Sequence, residues 1–517
     1  MHVQLIHPPA YVNPTALTGL RPSLPIGLAY IAGAARAAGH RVSVLDAVGL
    51  APDRVTPERN VGRLGCSIPE ILERLDPTAS VIGVSTMFTY QWPLVKELLV
   101  ALKAARPDAL LVGGGEHFTG LPQLSLETSP VDVVVIGEGE DTLIALLERY
   151  QAHLDAGGDA RTDVSAWAEG LLGTAYRKNG AVVQEPRRDR IRAVDEIARP
   201  AWDLFDVAGY DERRLVNGVK HGRTMPILAT RGCPYQCSYC SSPNAWTTRW
   251  VPRDPKAVVD EIEHYARTYG ATNFPFHDLT AILKRSWIVE FCQELLARKL
   301  DVSWQFPTGT RCEVVDDEVA DLLRRTGALQ VNFAPESGSA RVREKIQKRM
   351  KEESLFDAVK AATRNRLNVT CFFVLGFPGD TVEDCRATVD WAARLARLGV
   401  DDIACGFYFP IPGTKFFREL EAEGKAALTD DLIMAPIFVQ DSRIVESRNF
   451  SGTLTARQLT YWKYRVVWAF YSRAVLASPR RLLRIVRNLV TGNEDSKLDS
   501  FLRILRDRMT RRAPTPG

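Results

Sequence analysis

The sequence predicts an α/β protein with two parallel-sheet domains, at residues 1–150 and 221–425. A linker at 151–220 joins them, and a helical region follows at 426–517. Short apolar strand-like runs alternate with helical stretches in both domains, which is typical of parallel sheets with helical crossovers. At 517 residues the chain is also too long for one ordinary domain. Its 45% hydrophobic and 25% charged residues are typical of a globular protein rather than a disordered one.

The first domain is predicted to be a doubly wound, Rossmann-like parallel sheet. Its predicted strands are residues 2–7, 41–46, 81–85, 110–114 and 131–136. Its predicted helices are residues 26–38, 68–75, 92–105 and 141–150. The stretch between the second strand and the second helix is predicted to be irregular. Sheets of this kind bind ligands at the carboxyl ends of their strands, near the switch point.

Three loops at those strand ends are rich in glycine and small polar residues. Glycine lets the backbone approach a ligand closely, and hydroxyl groups can donate to it. The sequence therefore predicts a large polar ligand here, with a purely structural sheet as the alternative. No G-x-G-x-x-G follows the first strand, so a dinucleotide is not indicated. The candidate contacts are Ser85, Thr86, Met87, Gly114, Glu116, His117, Gly137, Glu138 and Gly139.

The linker carries signals for a break and a hairpin. Residues 155–159 have the small, polar composition of a flexible connection. Asn179-Gly180 is a hairpin turn signal between the predicted strands 173–177 and 181–184.

The second domain is predicted to contain six strand units. The strands are 225–230, 273–277, 303–306, 329–334, 369–375 and 402–409. The helices are 254–269, 287–299, 316–326, 342–350, 354–365 and 381–399. Six units are too few to close an eight-stranded barrel.

Three cysteines directly after the first of these strands form a Cys-x3-Cys-x2-Cys run. Cys233, Cys237 and Cys240 can converge on one metal centre, and thiolates are the usual ligands of iron–sulfur clusters. A four-iron cluster held by three cysteines keeps one iron open for a ligand that is not protein. Structural zinc is the alternative, but it needs a fourth Cys or His at finger-like spacing, and neither His221 nor Cys292 has it. The other six of the nine cysteines are scattered singly and are predicted to pack in the core.

The segment RGCPYQCSYCSSP resembles the cluster-binding loop of the radical S-adenosylmethionine (SAM) superfamily. The resemblance implies a [4Fe-4S] cluster whose open iron is chelated by SAM, and reductive cleavage of SAM to a 5′-deoxyadenosyl radical. It also implies a partial (β/α)6 barrel, open on the side that faces the first domain. No catalytic side chain beyond the cluster and the cofactors is predicted.

The resemblance also implies the residues that contact SAM. Tyr239 is expected beside the adenine, and Asp278 at the methionyl amino group. Glu336 and Ser337 lie in NFAPESGS, similar to the family's fourth-strand motif, and Gly376 lies in a glycine motif near the adenine. For Glu336 the alternative is an acid at the start of a helix. Arg311 and Lys348 are candidates for the SAM carboxylate, or else solvated or ion-paired charges.

The first domain is similar to the cobalamin-binding domain of the cobalamin-dependent radical SAM class. The similarity lies in IHPP, PIGLAYIAGAARAAGHRVSVLDA, GGGEH and GEGE. The D-x-H-x-x-G motif that supplies an axial histidine in many cobalamin proteins is absent after the first strand. We therefore expect cobalamin without a firm protein ligand on cobalt, and His117 capping or contacting the corrin, with coordination of cobalt by His117 as the alternative.

The resemblance implies a methyltransferase that acts on an unactivated carbon of a small-molecule substrate. The alternative is a cyclase, oxidative or ring-rearranging enzyme without methyl transfer, resembling the anaerobic porphyrin cyclase. An electron donor of the flavodoxin or ferredoxin type is expected.

The C-terminal region is strongly basic. Between Arg457 and Arg512 there are 14 Lys and Arg against 4 Asp and Glu, a net charge of +10 where the whole chain has +4. Aromatic and apolar residues interleave with these cations, which is typical of helices that lie on anionic membranes. A helical cap over the barrel with a solvated basic face is the alternative. Nucleic acid is not expected, because no recognition module is present.

The sequence also bears on location. The N-terminus lacks the features of a signal peptide, and no stretch approaches about 20 uninterrupted apolar residues. A cytoplasmic protein is therefore predicted, with membrane attachment at the inner face if the basic helices bind lipid.

Overall fold

The computed structural model describes residues 1–14, 22–58, 60–159, 163–438, 448–477, 480–491, 498–499 and 502–506, with only the backbone at 480–482 and 484. The elements of its N-terminal part and linker are β1 (His2–His7), β2 (Ala10–Val12), α1 (Ile26–Ala37), β3 (Arg41–Asp46), β4 (Val55–Glu58), β5 (Val61–Leu64), α2 (Ile68–Leu72), β6 (Val81–Ser85), α3 (Trp92–Ala105), β7 (Leu110–Gly114), α4 (Glu116–Gly120), α5 (Pro122–Thr128), β8 (Val133–Val135), α6 (Glu140–Asp155), α7 (Ser165–Ala168), β9 (Thr174–Lys178), β10 (Ala181–Gln184) and α8 (Val207–Glu212).

The first sheet has seven strands in the order β10-β9-β8-β7-β6-β1-β3. Five of them, from β8 to β3, pair in parallel, which confirms the predicted doubly wound sheet. Because β1 lies between β3 and β6, the switch point is at β1 and β6, where ligands bind in folds of this kind. The hairpin predicted in the linker is confirmed, and its strand β9 pairs antiparallel with β8, so it extends this sheet.

The stretch predicted to be irregular contains a hairpin, so that expectation was wrong. Strands β4 and β5 pair with each other, and β5 also pairs with β2, so the three form a separate antiparallel sheet with β5 in the centre. Pro57 lies within β4, and a proline argues against a strand in sequence, yet it is tolerated because β4 is an edge strand.

The rest of the chain forms a second α/β unit and C-terminal helices. Its elements are β11 (Thr230–Arg231), α9 (Ser242–Trp246), β12 (Val251–Pro252), α10 (Pro255–Tyr269), β13 (Asn273–Pro275), α11 (Arg285–Arg298), β14 (Ser303–Gln305), α12 (Asp317–Arg325), β15 (Ala328–Glu336), α13 (Ala340–Lys345), α14 (Glu352–Arg364), β16 (Asn368–Leu375), α15 (Val382–Arg397), β17 (Asp402–Phe407), α16 (Lys415–Ala422), α17 (Asp430–Met434), α18 (Ala456–Ala477) and α19 (Arg480–Thr491).

The second unit is an open barrel with six parallel positions. Strands β13 to β17 pair in sequence order, and the chain before the cysteine run lies beside β13 as the sixth. There the amides of Met225 and Ile227 donate to carbonyls of β13 at 3.0 Å. The predicted strand 225–230 is a regular strand only at its end, in β11, and the chain before it joins β13 and its next residue through isolated bridges at Thr224 and Ile227.

One predicted helix of the barrel is shorter and earlier than expected. Instead of 342–350, α13 begins at Ala340, after the N-cap Ser339, whose hydroxyl accepts from the Val342 amide. It ends at Lys345, and Gln347 has a left-handed φ of 56° that a continuing helix could not contain.

The buried core is continuous between the two α/β units. Apolar side chains of β1 and α1 connect through Trp202 and Tyr210 of the linker to Tyr265 and the barrel strands. The strand tips of both sheets are therefore held in a fixed relation. The limits predicted at residues 150, 220 and 425 stay predictions.

The C-terminal region is helical where the structure describes it. Leu459, Val466 and Phe470 of α18 are buried in the core shared with the barrel, and Tyr471 donates its hydroxyl proton to Asp402. None of the described helices combines the length and apolar character needed to cross a bilayer.

Candidate active site between the facing strand tips

The three cysteines of the Cys-x3-Cys-x2-Cys run lie in the loop between β11 and α9. Cys233, Cys237 and Cys240 are half-buried free thiols. Gly232 before them has a φ of 88°, and a Cβ there would stand 2.1 Å from the carbonyl oxygen of Arg249. In the described part of the chain, no three His, Cys, Asp or Glu side chains are close enough to hold a single metal ion.

Cations lie near these thiols. Burial raises the pKa of Cys233 and Cys237, whereas the ammonium of Lys348 acts in the opposite direction on both. The guanidinium of Arg311 adds to this at Cys233 and lies 4.0 Å from the centre of the Tyr235 ring. These charges favour the thiolate, which is the form that binds iron.

Glu336 is held beside the cysteine loop by two side chains. Its Oε1 accepts from the hydroxyl of Tyr239 at 2.7 Å and pairs with Nζ of Lys348 at 3.0 Å. Burial alone would lower the pKa of Lys348, but Glu336 and Cys237 raise it above its ordinary value. Glu336 ends β15 with a φ of 65°, a strained conformation that is common at functional sites. It is not a helix cap, since Ser339 caps α13.

Asp278 faces the entry to the cysteine loop. Its carboxylate accepts from the backbone amides of Ala229 and Thr230, and the residue is only 1% exposed. Burial raises its pKa to about 6. The structure therefore gives Asp278 a backbone-holding role, whereas the expected contact was a methionyl amino group.

Ser337 and Gly376 shape two strand tips. The Ser337 hydroxyl accepts from the Ser339 amide at 3.2 Å and contacts the hydroxyl of Thr388 at 3.3 Å. Gly376 has a φ of 87°, and its amide donates to Asp380 at 2.9 Å. Both residues lie at the barrel mouth, as expected, but the contacts they make in the structure are internal.

The tips of β6 and β7 form an open cradle. The hydroxyl oxygen of Thr86 is buried without a hydrogen-bond partner among the described residues. Beside it, Met87 is 53% exposed although it is apolar. A Cβ on Gly114 would meet nothing within 4 Å, so this backbone is open to a ligand, and Ser85 ends β6 next to it.

His117 is not part of that open surface. Its ring is fully buried and stacks on Trp92 with ring centres 4.4 Å apart, while Nε2 lies 3.4 Å from the Ser125 hydroxyl. Burial lowers its pKa to about 3. The ring therefore packs against Trp92 of α3 and Ser125 of α5, and a contact of His117 with the corrin stays a prediction.

The GEGE loop is joined to the cysteine segment by buried ion pairs. Glu138 pairs with Arg190 at 2.6 Å and with Arg231 at 3.1 Å, and Glu140 pairs with Arg231 at 2.6 Å. All four side chains are at most 7% exposed. The carboxylate of Glu138 is thus occupied by ion pairs with other residues of the protein. Gly137 and Gly139 lie on the same loop, as predicted.

A second contact joins the two sets of strand tips. The indole N–H of Trp246, on the helix after the cysteines, donates to Glu116 at 2.6 Å. Burial raises the pKa of Glu116 to about 7. On the same helix, Asn244 donates to the carbonyl of Gly413, in the loop after β17, at 2.9 Å.

Comparison with known proteins agrees with this arrangement. The B12 binding domain family matches residues 21–147, and the Radical SAM superfamily matches residues 227–392. The uncharacterized methyltransferase PH0819 of Pyrococcus horikoshii is 30% identical over 395 residues, which are 76% of this chain and 78% of the relative. The chain belongs to the cobalamin-dependent radical SAM family.

One further relative and one solved structure are also similar to this chain. The anaerobic magnesium-protoporphyrin IX monomethyl ester cyclase of Cereibacter sphaeroides is 29% identical over 428 residues, 81% of this chain and 64% of the cyclase. The structure of the radical SAM methyltransferase TsrM from Kitasatospora setae, with cobalamin and a [4Fe-4S] cluster bound, matches with a TM-score of 0.67 and 20% identity. That match covers 99% of each chain, so the fold is shared.

The chain's residues fit the cofactors of a cobalamin-dependent radical SAM enzyme, which are a [4Fe-4S] cluster, SAM and cobalamin. Three free thiols in one loop, with the ammonium of Lys348 near two of them, suit a cluster with an open iron. The orphaned Thr86 hydroxyl and the uncovered Gly114 suit a large ligand at the switch point.

Sequence reasoning missed several residues that build this site. Arg190, Trp246 and Asp380 stand in no motif, and Glu140 was read only as part of the GEGE signature. The partners of Arg190, Trp246 and Glu140 lie far away in the chain, for example Trp246 and Glu116 at 130 positions. Asp380 lies only four positions after Gly376, but no motif marks it. Sequence offered no signal for these pairings.

Proposed function

We propose that this enzyme transfers a methyl group from SAM, by way of cobalamin, to an unactivated carbon of a small-molecule substrate. The observation that carries the proposal is the bridge between the two sets of strand tips, Glu138 and Glu140 to Arg231 and Glu116 to Trp246. It brings the cobalamin cradle and the cysteine loop to one shared space, as transfer between two cofactors requires. PH0819, at 30% identity, is named a methyltransferase, which agrees with the proposal.

In the proposed site each group of residues has one task. When bound, the cluster and SAM supply a 5′-deoxyadenosyl radical, and cobalamin supplies the methyl group. Cys233, Cys237 and Cys240 hold the cluster. Tyr239 and Glu336 bind SAM beside it, and Lys348 orients Glu336 through their ion pair.

The remaining predicted residues support these contacts. Asp278 fixes the chain that enters the cysteine loop, while Ser337 and Gly376 shape the rim of the SAM site. Thr86, Met87 and Gly114 line the cobalamin cradle, with Ser85, Gly137 and Gly139 beside it.

Methyl-labelled SAM tests the proposal. Holoenzyme is reconstituted anaerobically and incubated with SAM bearing a deuterated methyl group and a small-molecule extract of the producing cells. We expect a product that carries the label, with S-adenosylhomocysteine and 5′-deoxyadenosine formed in equal amounts. Labelled product without 5′-deoxyadenosine would contradict radical activation of the carbon.

A second candidate is cyclisation or another oxidative rearrangement without methyl transfer. The 29% identity to the anaerobic magnesium-protoporphyrin IX monomethyl ester cyclase over 81% of this chain favours it. In the same experiment it would give 5′-deoxyadenosine and an unlabelled product, without matching S-adenosylhomocysteine.

The proposed chemistry also needs low-potential electrons and reduced thiols. We therefore propose a flavodoxin- or ferredoxin-type donor and a cytoplasmic location. Replacing dithionite by a flavodoxin, its reductase and NADPH should sustain 5′-deoxyadenosine formation.

A further inference from the structure

We propose that the exposed faces of α18 and α19 form a docking surface for an anionic lipid bilayer. Sixteen large apolar side chains are exposed in the described structure, and nine of them lie between residues 461 and 505. We call these nine the C-terminal apolar face: Tyr461, Tyr464, Trp468, Val475, Leu476, Leu483, Val486, Val490 and Leu505. Such a concentration of exposed apolar surface marks an interaction site.

Helix α18 presents two opposite faces. One is buried against the barrel through Leu459 and Phe470. On the other, Tyr461, Tyr464 and Trp468 are 55%, 60% and 60% exposed, and their spacing of three and four residues puts them in one stripe. The barrel therefore holds the helix in place while a row of aromatic rings points away from the protein.

Helix α19 has the same character. Leu483, Val486 and Val490 share one face by their spacing and are 73%, 55% and 81% exposed. Asn488 is buried and donates to Asp499 at 3.0 Å, so another face of the helix is turned toward the protein. The exposed valines and leucine are thus surface features of a packed helix.

Charge identifies the partner. The segment from Arg457 to Arg512 carries a net +10, and the guanidinium of Arg465 lies 5.5 Å from the ring centre of the exposed Trp468. Aromatic rings interleaved with cations are typical of helices at an anionic lipid interface. A second copy of the chain is disfavoured, because it would bring +10 against +10.

Vesicle sedimentation tests the proposal with the full-length, cofactor-loaded enzyme. The probes are vesicles of phosphatidylcholine alone and of phosphatidylcholine with phosphatidylglycerol. We expect binding to the anionic vesicles, weakened by salt, and little to the neutral ones. Leu483→Asp with Val490→Asp should reduce anionic binding at least tenfold. The matched control, Leu50→Asp with Val100→Asp, changes side chains that are 56% and 54% exposed on the first domain, and should bind like the wild type.

Three outcomes would overturn the proposal. They are no binding to anionic vesicles, equal binding to both kinds, or equal loss in the control variant. Light scattering without lipid provides another check. If the wild type is a dimer and the C-terminal variant is a monomer, the C-terminal apolar face joins two copies of the chain, and the proposal is also overturned. Retained cluster and cobalamin absorption shows that the variants are folded. The assay needs no turnover, so it is independent of the proposed methyl transfer.

Discussion

Glu138 and Arg231 form a buried ion pair of 3.1 Å that joins the tip of the cobalamin domain to the residue two positions before the first cluster cysteine. Arg190 and Glu140 complete the group at 2.6 Å from Glu138 and Arg231. Buried charges are costly unless paired, and here each has a partner from another segment of the chain.

Breaking this group should destabilise the protein. Arg231→Met leaves Glu138 and Glu140 buried with fewer partners, which should cost about 3–5 kcal/mol of unfolding free energy. Urea denaturation of the apoprotein measures it. Arg285→Ala, which removes an exposed pair with Asp316, is the control and should stay close to wild type. Equal stability of both variants would show that the buried group does not hold the units together.

Lys348 should matter more for SAM than for the cluster, because Arg311 also favours the thiolate of Cys233. In Lys348→Met, Glu336 loses the ion pair of 3.0 Å that orients it, so 5′-deoxyadenosine formation should fall at least tenfold while iron content stays near wild type. Lys351→Met, at an exposed position, is the control. A parallel loss of iron would instead assign Lys348 to cluster binding.

Stability should depend on pH through Glu116. Burial raises its pKa to about 7 from 4.5, so the folded state holds a proton that the unfolded state releases. Protonated Glu116 therefore contributes to the free energy of unfolding at low pH, and this contribution is lost as the pH rises from about 4.5 through about 7. Glu116→Gln keeps an acceptor for Trp246 without titrating. Between about pH 5 and about pH 8 the wild type should therefore lose about 1–3 kcal/mol more than the variant. The exposed Glu148→Gln should follow the wild type, and a Glu116→Gln profile parallel to it would refute the assignment.

Iron content should distinguish the three cluster cysteines from the other cysteines of the chain. After anaerobic reconstitution the wild type should contain about four irons per chain, as one cubane requires. Cys237→Ala should lose the cluster and all 5′-deoxyadenosine formation. Cys66→Ala, at a buried position of the first domain, should retain both. Full iron content in Cys237→Ala would contradict the three-cysteine assignment.

The sequence predicts the strands well because their apolar runs are local. The bounds predicted for β1, β3, β6 and β7 agree with the structure. The hairpin of β4 and β5 was missed, since its pairing depends on β2 and on an edge position that accepts Pro57.

The candidate site is readable from sequence only where the chemistry is local. Cysteine spacing indicates the cluster, and Tyr239 belongs to the same loop. The roles of Glu138 and His117 depend on partners that spacing does not reveal. Arg231 stands 93 positions from Glu138, and His117 is enclosed by packing on Trp92.

The segment before the barrel has a consequence for chimeric enzymes. Besides its ion pair with Glu138, Arg190 donates hydrogen bonds to the backbone carbonyls of Trp246 and Arg249. The linker at Arg190 is therefore bonded to both halves of the protein. A corrinoid domain transplanted from a relative would function here only if it brought the matching acidic pair. Exchanges in this family should therefore succeed when the crossover lies outside the stretch from Glu116 to Arg249, and fail when it lies within.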